Sequence, residues 1–259
     1  MVLTAKEKTP PALLLYLRSF IFWIVFAILI VFFAIVLTLS FPFPFNKRFH
    51  VTRAWSTLTI AWLRLTCNLR YEVEGLENIH DNVGIVFSKH QSTWETLTLN
   101  FWFSPQSWVV KRELLLAPVF GWGVRMMDPI ALDRGAGKKA IEQLVEQGRE
   151  RLDKGRWIII FPEGTRIAPG RKGRYRIGGG ILAERTGYPV TPVAHNAGEF
   201  WPRRKFVKMP GVIKISIGPP IESGGKNAQQ IMQEAEAWIE NEMVRITTLS
   251  EHSYGKADK

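Results

Sequence analysis

Residues 20–39 read FIFWIVFAILIVFFAIVLTL, and Thr38 is the one hydrophilic side chain in the run. A helix of twenty residues rising ~1.5 Å each is roughly 30 Å long, the thickness of a bilayer's hydrocarbon core. The run outlasts the ~7–15 apolar residues of a cleavable signal peptide, and no Ala-x-Ala-like site follows it. Instead comes SFPFPFNKR, where Pro42 and Pro44 forbid continuation of the helix. A buried core helix is disfavoured by so long and unbroken an apolar stretch. The segment is read as membrane-embedded. Lys6, Lys8 and Arg18 precede it, while Lys47, Arg48, Arg53 and Arg64 follow. Positive charge on both sides leaves its orientation open, with a lean toward a cytoplasmic C-terminal side.

The next stretch, RFHVTRAWSTLTIAWLRLTCNL, places Trp55, Leu58, Trp62 and Leu65 at three- and four-residue steps among Arg53 and Arg64. That spacing predicts an amphipathic helix over 49–67, suited to a lipid interface or, alternatively, to packing on a soluble domain. Residues 1–68 are therefore expected to anchor the chain. The helix at 13–40 either spans the bilayer or pairs with its successor as a hairpin dipping into one leaflet.

Beyond Tyr71 the pattern changes to short β-branched runs at 83–88, 107–110, 156–162, 188–194 and 212–218. Between and after them lie helical stretches at 93–103, 138–154, 180–186 and 228–249. The alternation predicts an α/β domain over 69–250, a central mixed sheet flanked by helices, with a flexible tail at 251–259.

Lys and Arg number 34 against 23 Asp and Glu, a net charge of +11. Such an excess calls for an anionic partner. Arg166, Arg171, Lys172, Arg174 and Arg176 crowd one loop, and Arg203, Arg204, Lys205 and Lys208 another. Beside a membrane segment these suit anionic headgroups. No nucleic-acid-binding module accompanies them, so no nucleic-acid partner is expected. Cys67, the one cysteine, can form neither an internal disulfide nor a thiolate metal cluster, and no metal site is expected.

Two stretches carry chemistry. IVFSKHQSTWETL (85–97) places His90 five residues before Glu95. On one continuous helix those side chains diverge by roughly 140° and cannot meet. If a strand ends near Ser88 and a helix begins at Ser92 or Thr93, the glutamate can fold back onto an imidazole in the preceding turn. A carboxylate on one ring nitrogen fixes the tautomer that a general base requires. A capping or surface histidine is the alternative. WIIIFPEGTR (157–166) delivers Pro162 to Arg166 from the C-terminal end of a buried strand, the edge where open α/β sheets bind ligands. Arg166 offers a fork of donors suited to phosphate, Thr165 adds a hydroxyl, and Gly164 permits an unusual turn. A surface turn with Glu163 and Arg166 paired to each other is the alternative.

KHQSTWE and FPEGTR, in this order after an apolar N-terminus, resemble the glycerolipid acyltransferases, and most of all the 1-acylglycerol-3-phosphate acyltransferases. WVVKRELLLAPVFGWGVRMMDPIALDR (108–134) is similar to that family's second motif, and YPVTPVAHNAG (188–198) to its fourth. The likeness covers roughly residues 70–220. It implies transfer of a fatty acyl group to the sn-2 hydroxyl of lysophosphatidic acid, giving phosphatidic acid. The donor would be acyl-CoA or an acyl carrier protein, a co-substrate rather than a cofactor. His90 matches the catalytic histidine; Glu163, Gly164, Thr165 and Arg166 match the acceptor-binding motif. Lys111, Arg112 and Arg134 match positions linked to the phosphate, and Pro192 a position linked to the acyl donor or pocket shape. The family spacing carries aspartate where this chain has Glu95, so the acid must arrive from a slightly different backbone position. Another lysolipid acceptor, and a non-catalytic protein that binds anionic lipid, are the competing readings. The likeness implies a place at the bacterial inner membrane with the site at its cytoplasmic face.

Overall fold

The apolar run forms one unbroken helix, α1 (Ala12–Leu39), in a computed structural model that describes residues 10–249 apart from the side chain of Arg134. The tail expected at 251–259 lies outside the described residues. A turn containing Pro42 reverses the chain, and Pro44 caps α2 (Phe45–Cys67), which ends at Asn68 in the left-handed conformation. Asparagine tolerates that conformation better than most side chains.

Leu15, Ser19, Phe22, Phe26, Ala34 and Leu37 mark the buried face of α1, at helical spacing. The opposite face exposes Phe20, Ile24, Ile28, Val31, Phe32 and Ile35. The helix is long and apolar enough to cross a membrane. α2 turns Thr52, Ser56, Thr59, Ile60, Leu63 and Cys67 inward and leaves Leu58 and Leu65 exposed. It therefore packs on the domain along one face and keeps apolar side chains free on another.

Among the described residues seven strands form one sheet: β1 (Leu69–Glu74), β2 (Ile85–Ser88), β3 (Gln106–Lys111), β4 (Ile130–Leu132), β5 (Trp157–Ile160), β6 (Val190–His195) and β7 (Gly211–Ile217). Their order is β1-β7-β6-β2-β5-β3-β4. β6 and β7 run antiparallel, and every other neighbouring pair is parallel. The sheet is thus mixed, as expected, with β2 and β5 at its centre. The edge strands escaped the sequence pattern. β1 is largely exposed and polar, and β4 has only three residues.

Helices α3 (Trp94–Thr98), α4 (Phe120–Met126), α5 (Lys138–Asp153), α6 (Gly178–Thr186), α7 (Ala197–Phe200) and α8 (Ala228–Ile246) complete the fold. The stretch expected as helix over 93–103 breaks after Thr98 into a 3-10 turn at Leu99–Phe101. Strand alternation divides the core in two. Val86, Ile159 and Val193 point to the layer that holds Phe22, Phe26, Ile60 and Leu63 of α1 and α2. Ile85, Phe87, Ile158 and Ile160 point to Leu144, Leu182, Ile231 and Ile239 of α5, α6 and α8. The N-terminal helices are therefore one layer of the core rather than a detached tether. Each fully buried side chain there contributes about 1.5–3 kcal/mol.

Candidate active site

β2 delivers Ser88 to the C-terminal edge of the sheet, and the turn that follows carries Lys89 to Thr93 before α3 begins. Glu95, in the first turn of α3, folds back over it. Its Oε1 accepts from the amides of Gln91 (3.0 Å) and Ser92 (2.8 Å) and lies 2.8 Å from His90 Nδ1. A carboxylate is favoured at a helix N-terminus, where unpaired amides gather. Ser92 adds a second tie, its hydroxyl donating to the carbonyl of Trp201 (2.7 Å) and accepting from the amide of Trp94 (3.2 Å). Burial alone would raise the pKa of Glu95, but His195, His90 and the Ser92 amide outweigh it and hold the carboxyl below its ordinary range. Glu95 is thus ionised and acceptor-only, so His90 Nδ1 is the donor and Nε2 keeps the lone pair. The imidazole stacks on Phe161, ring centroids 4.0 Å apart.

A second histidine stands behind the first. His195 is fully buried; its Nε2 lies 2.7 Å from the Lys89 carbonyl and 3.9 Å from Glu95 Oε2, while its Nδ1 accepts from the Ala197 amide (3.3 Å). A neutral ring with the proton on Nε2 satisfies both bonds. Burial lowers its pKa, against the pull of Glu95. In the unfolded chain this histidine takes up a proton below about pH 6.5, whereas in the folded chain it stays neutral until lower pH. Folding stability should therefore be fully present above about pH 6.5 and fall as the pH drops below it. Thermal melts of the wild type should show this slope, and His195→Gln should flatten it. An equal slope in both would contradict the assignment.

Lys89 points the other way. Its ammonium, wholly buried, sits 2.7 Å from Glu163 and 2.7 Å from Glu240 of α8. Tyr175 donates to the same Glu240 oxygen (2.9 Å). Glu163 in turn accepts from the His90 amide through Oε2 (2.9 Å). Burial raises the pKa of Glu163 and Lys89 opposes that rise. One residue further on, Gly164 has φ +69°, a conformation that favours glycine and swings the loop around the histidine turn. The amide of Ile167 closes it by donating to the His90 carbonyl (2.8 Å).

His90, Gly164, Arg166 and Lys111 border an apolar cavity of about 480 Å³, which Phe26, Ile30, Trp55, Trp108 and Val124 line from α1, α2, β3 and α4. Arg166 is half-buried, with its Nε shielded from solvent and without a hydrogen-bond partner. Thr165 is exposed and accepts from Arg203 (3.3 Å). Lys111 stands at the rim, 3.7 Å from Glu113. The structure thus brings His90, Glu95, Gly164, Arg166 and Lys111 together. Glu163, only 4% exposed, turns behind the histidine and not to the cavity. Arg112 begins a 3-10 turn and does not border the cavity. Pro192 lies buried within β6, where its carbonyl accepts from the Gly218 amide (2.8 Å), away from the cavity. Arg134 begins a 3-10 turn, and its side chain lies outside what is described.

Sequence reasoning passed over Lys89, Phe161, His195 and Glu240. Lys89, directly after an apolar strand, gave no clear signal of burial, since Lys111 at the end of β3 is exposed. His195 gave none, since nothing in AHNAG marks a second imidazole.

The chain belongs to the acyltransferase family. Residues 70–196 match the family model named Acyltransferase. Over 212 residues the chain is 45% identical to 1-acyl-sn-glycerol-3-phosphate acyltransferase of Pseudomonas aeruginosa, covering 80% of this chain and 82% of that protein. It is 29% identical over 205 residues to the Saccharomyces cerevisiae protein of the same name, covering 75% of this chain and 65% of that one. The crystal structure of the 1-acyl-sn-glycerophosphate (LPA) acyltransferase from Thermotoga maritima superposes with a TM-score of 0.74 at 21% identity, covering 90% of this chain and 96% of that one. At that identity the likeness is one of fold.

Proposed function

We propose that the chain moves a fatty acyl group from a thioester donor to the sn-2 hydroxyl of lysophosphatidic acid, forming phosphatidic acid. The observation that carries this reading is the His90–Glu95 contact of 2.8 Å at the edge of an apolar cavity that Arg166 also borders. The name borne by the Pseudomonas aeruginosa relative agrees with it. The acceptor hydroxyl gives its proton to His90 Nε2 as its oxygen attacks the thioester carbonyl. Glu95 stabilises the imidazolium through Nδ1. The tetrahedral intermediate collapses, the C–S bond breaks, and the thiolate takes the proton back from Nε2. No acyl-enzyme forms.

Arg166 holds the acceptor's phosphate, with Lys111 at the rim, while the apolar lining receives hydrocarbon. α1 sits in the bilayer through its exposed apolar face, a surface water would not tolerate uncovered. Exposed Arg174, Arg176, Arg204 and Lys205 meet anionic headgroups, each worth about 1 kcal/mol near the surface. The membrane is a bacterial inner membrane, with the site at its cytoplasmic face. The test is a panel of purified lysolipids with acyl-CoA and acyl carrier protein donors. Lysophosphatidic acid should turn over fastest; turnover confined to a different lysolipid would replace it as acceptor.

A further inference from the structure

Arg203 has no role in the mechanism so far, yet the fold fixes it against the phosphate-side loop. Its Nη1 lies 3.3 Å from Thr165 Oγ1 and 3.4 Å from the carbonyl oxygen of Arg166. The backbone that carries it is held on two sides. On one, the Trp201 carbonyl accepts from Ser92 in the histidine turn, and the Gly198 amide donates to Gln91 (3.3 Å). On the other, the buried Trp201 ring packs edge-on against Phe22, Trp23 and Phe26 of α1. Further along, the Lys208 amide donates to Ser19 Oγ (2.8 Å) and the Trp23 indole to the Phe206 carbonyl (2.9 Å). The loop is therefore anchored to both the histidine turn and the N-terminal helix, which limits where its guanidinium can go.

Two guanidinium groups are consequently tied to one short loop, Arg166 as part of it and Arg203 through its contacts with Thr165 Oγ1 and the Arg166 carbonyl. Among the described residues neither forms an ion pair; burial weighs most against the Arg166 charge, the Glu95 carboxylate favours it, and the Arg203 charge opposes it. A like charge held nearby disfavours the charged form of Arg166 until an anion comes between them. A phosphate monoester carries about −1.5 to −2 charges near neutral pH, because its second pKa is about 6. A phosphodiester has lost that second ionisation. A lone guanidinium satisfies a monoanion; a second one gains most from a dianion, which offers another pair of charged oxygens.

We propose that Arg203 is a specificity-determining residue that, together with Arg166, selects an acceptor bearing a phosphate monoester over one bearing a phosphodiester. The inference rests on the lysophosphatidic acid reading above and names what in this chain enforces it.

The test compares wild type, Arg203→Ala and Arg203→Lys with lysophosphatidic acid and lysophosphatidylglycerol as acceptors and palmitoyl-CoA as donor. In Arg203→Ala the KM for lysophosphatidic acid should rise about 10–100-fold, the scale of one lost charge-assisted hydrogen bond. Its kcat should stay within about threefold, because the His90–Glu95 pair is untouched. The KM for lysophosphatidylglycerol should change far less, so the preference between the two collapses. Arg203→Lys should fall between, since a point charge lacks the fork. Lys226→Ala, which removes the same charge from a distant surface, should leave every constant unchanged. An unchanged KM for lysophosphatidic acid in Arg203→Ala overturns the proposal. So does an increase confined to the palmitoyl-CoA KM, which would place Arg203 on the donor's phosphates. A wild type that acylates lysophosphatidylglycerol and not lysophosphatidic acid defeats the acceptor reading together with this inference. A wild type that prefers lysophosphatidic acid beside an indifferent Arg203→Ala defeats the role of Arg203 alone.

Discussion

Replacing His90 with alanine should lower kcat for acyl transfer by about 10²–10⁴-fold, the usual worth of a positioned general base. The acceptor KM should move little, because Arg166 and the apolar lining remain. Folding should survive: the His90 amide, which donates to Glu163, and its carbonyl, which accepts from Ile167, are backbone groups that alanine keeps. Steady-state kinetics beside a thermal melt would read both. The partner variant separates positioning from mere presence. Glu95→Gln keeps an oxygen for the Gln91 and Ser92 amides but removes the charge that steadies an imidazolium, so it should lose most activity while remaining folded. Near-normal turnover in it would remove Glu95 from the mechanism. In Glu95→Asp the shorter carboxylate must leave either those amides or the imidazole, and partial activity is expected.

The largest loss of stability should come from Lys89→Met. Removing one partner of a buried ion pair typically costs about 3–5 kcal/mol, because the other charge is left without compensation. Here two carboxylates, Glu163 and Glu240, lose their shared ammonium at once. For a chain of this size that corresponds to a fall in Tm of roughly 10 °C. The pH dependence identifies the cause. Burial already raises the pKa of Glu163, and losing Lys89 removes the main opposing charge. A carboxyl whose folded pKa lies above its unfolded value binds more protons when folded, so its effect on stability worsens as pH rises. The variant should therefore recover part of the loss between pH 8 and pH 5, and Lys89→Met combined with Glu163→Gln should recover part of it at every pH. Equal destabilisation at pH 5 and pH 8 would assign the effect to packing alone.

Much of this arrangement was legible from residue types. Length and unbroken apolarity predicted α1 almost to the residue, and Pro42 and Pro44 explained its end. The five strands rich in β-branched residues appeared where alternation placed them, since a buried strand writes its burial into a short run. β1 wrote no such signal: it lies at the sheet edge with polar, exposed side chains. Within the site, the question raised by His90 and Glu95 was whether five residues could bring them together. They meet because the helix starts at Trp94, so the pair straddles a turn and not a helix. The longer acid reaches the imidazole while gathering two amides.

What stayed hidden depends on long-range partners. Glu163 read as a group for the acceptor, but its oxygens are taken by Lys89 and the His90 amide seventy residues earlier in the chain. No local pattern records that Glu240, near the end of α8, completes the same cluster. The pairing of Arg203 with the Thr165 loop is equally non-local. In the sequence it was one of several clustered basic residues, distinguishable from its neighbours only after folding.

Direct transfer is the centre of the mechanism, and thiol release measures it most simply. Purified full-length protein in phospholipid vesicles is mixed with a labelled long-chain acyl-CoA, first without acceptor and then with lysophosphatidic acid. Thiol should appear only after the acceptor is added, mole for mole with phosphatidic acid, and scarcely at all with His90→Ala. A stoichiometric burst of thiol before acceptor, with label held covalently on the protein, would contradict a base-assisted attack by the acceptor hydroxyl.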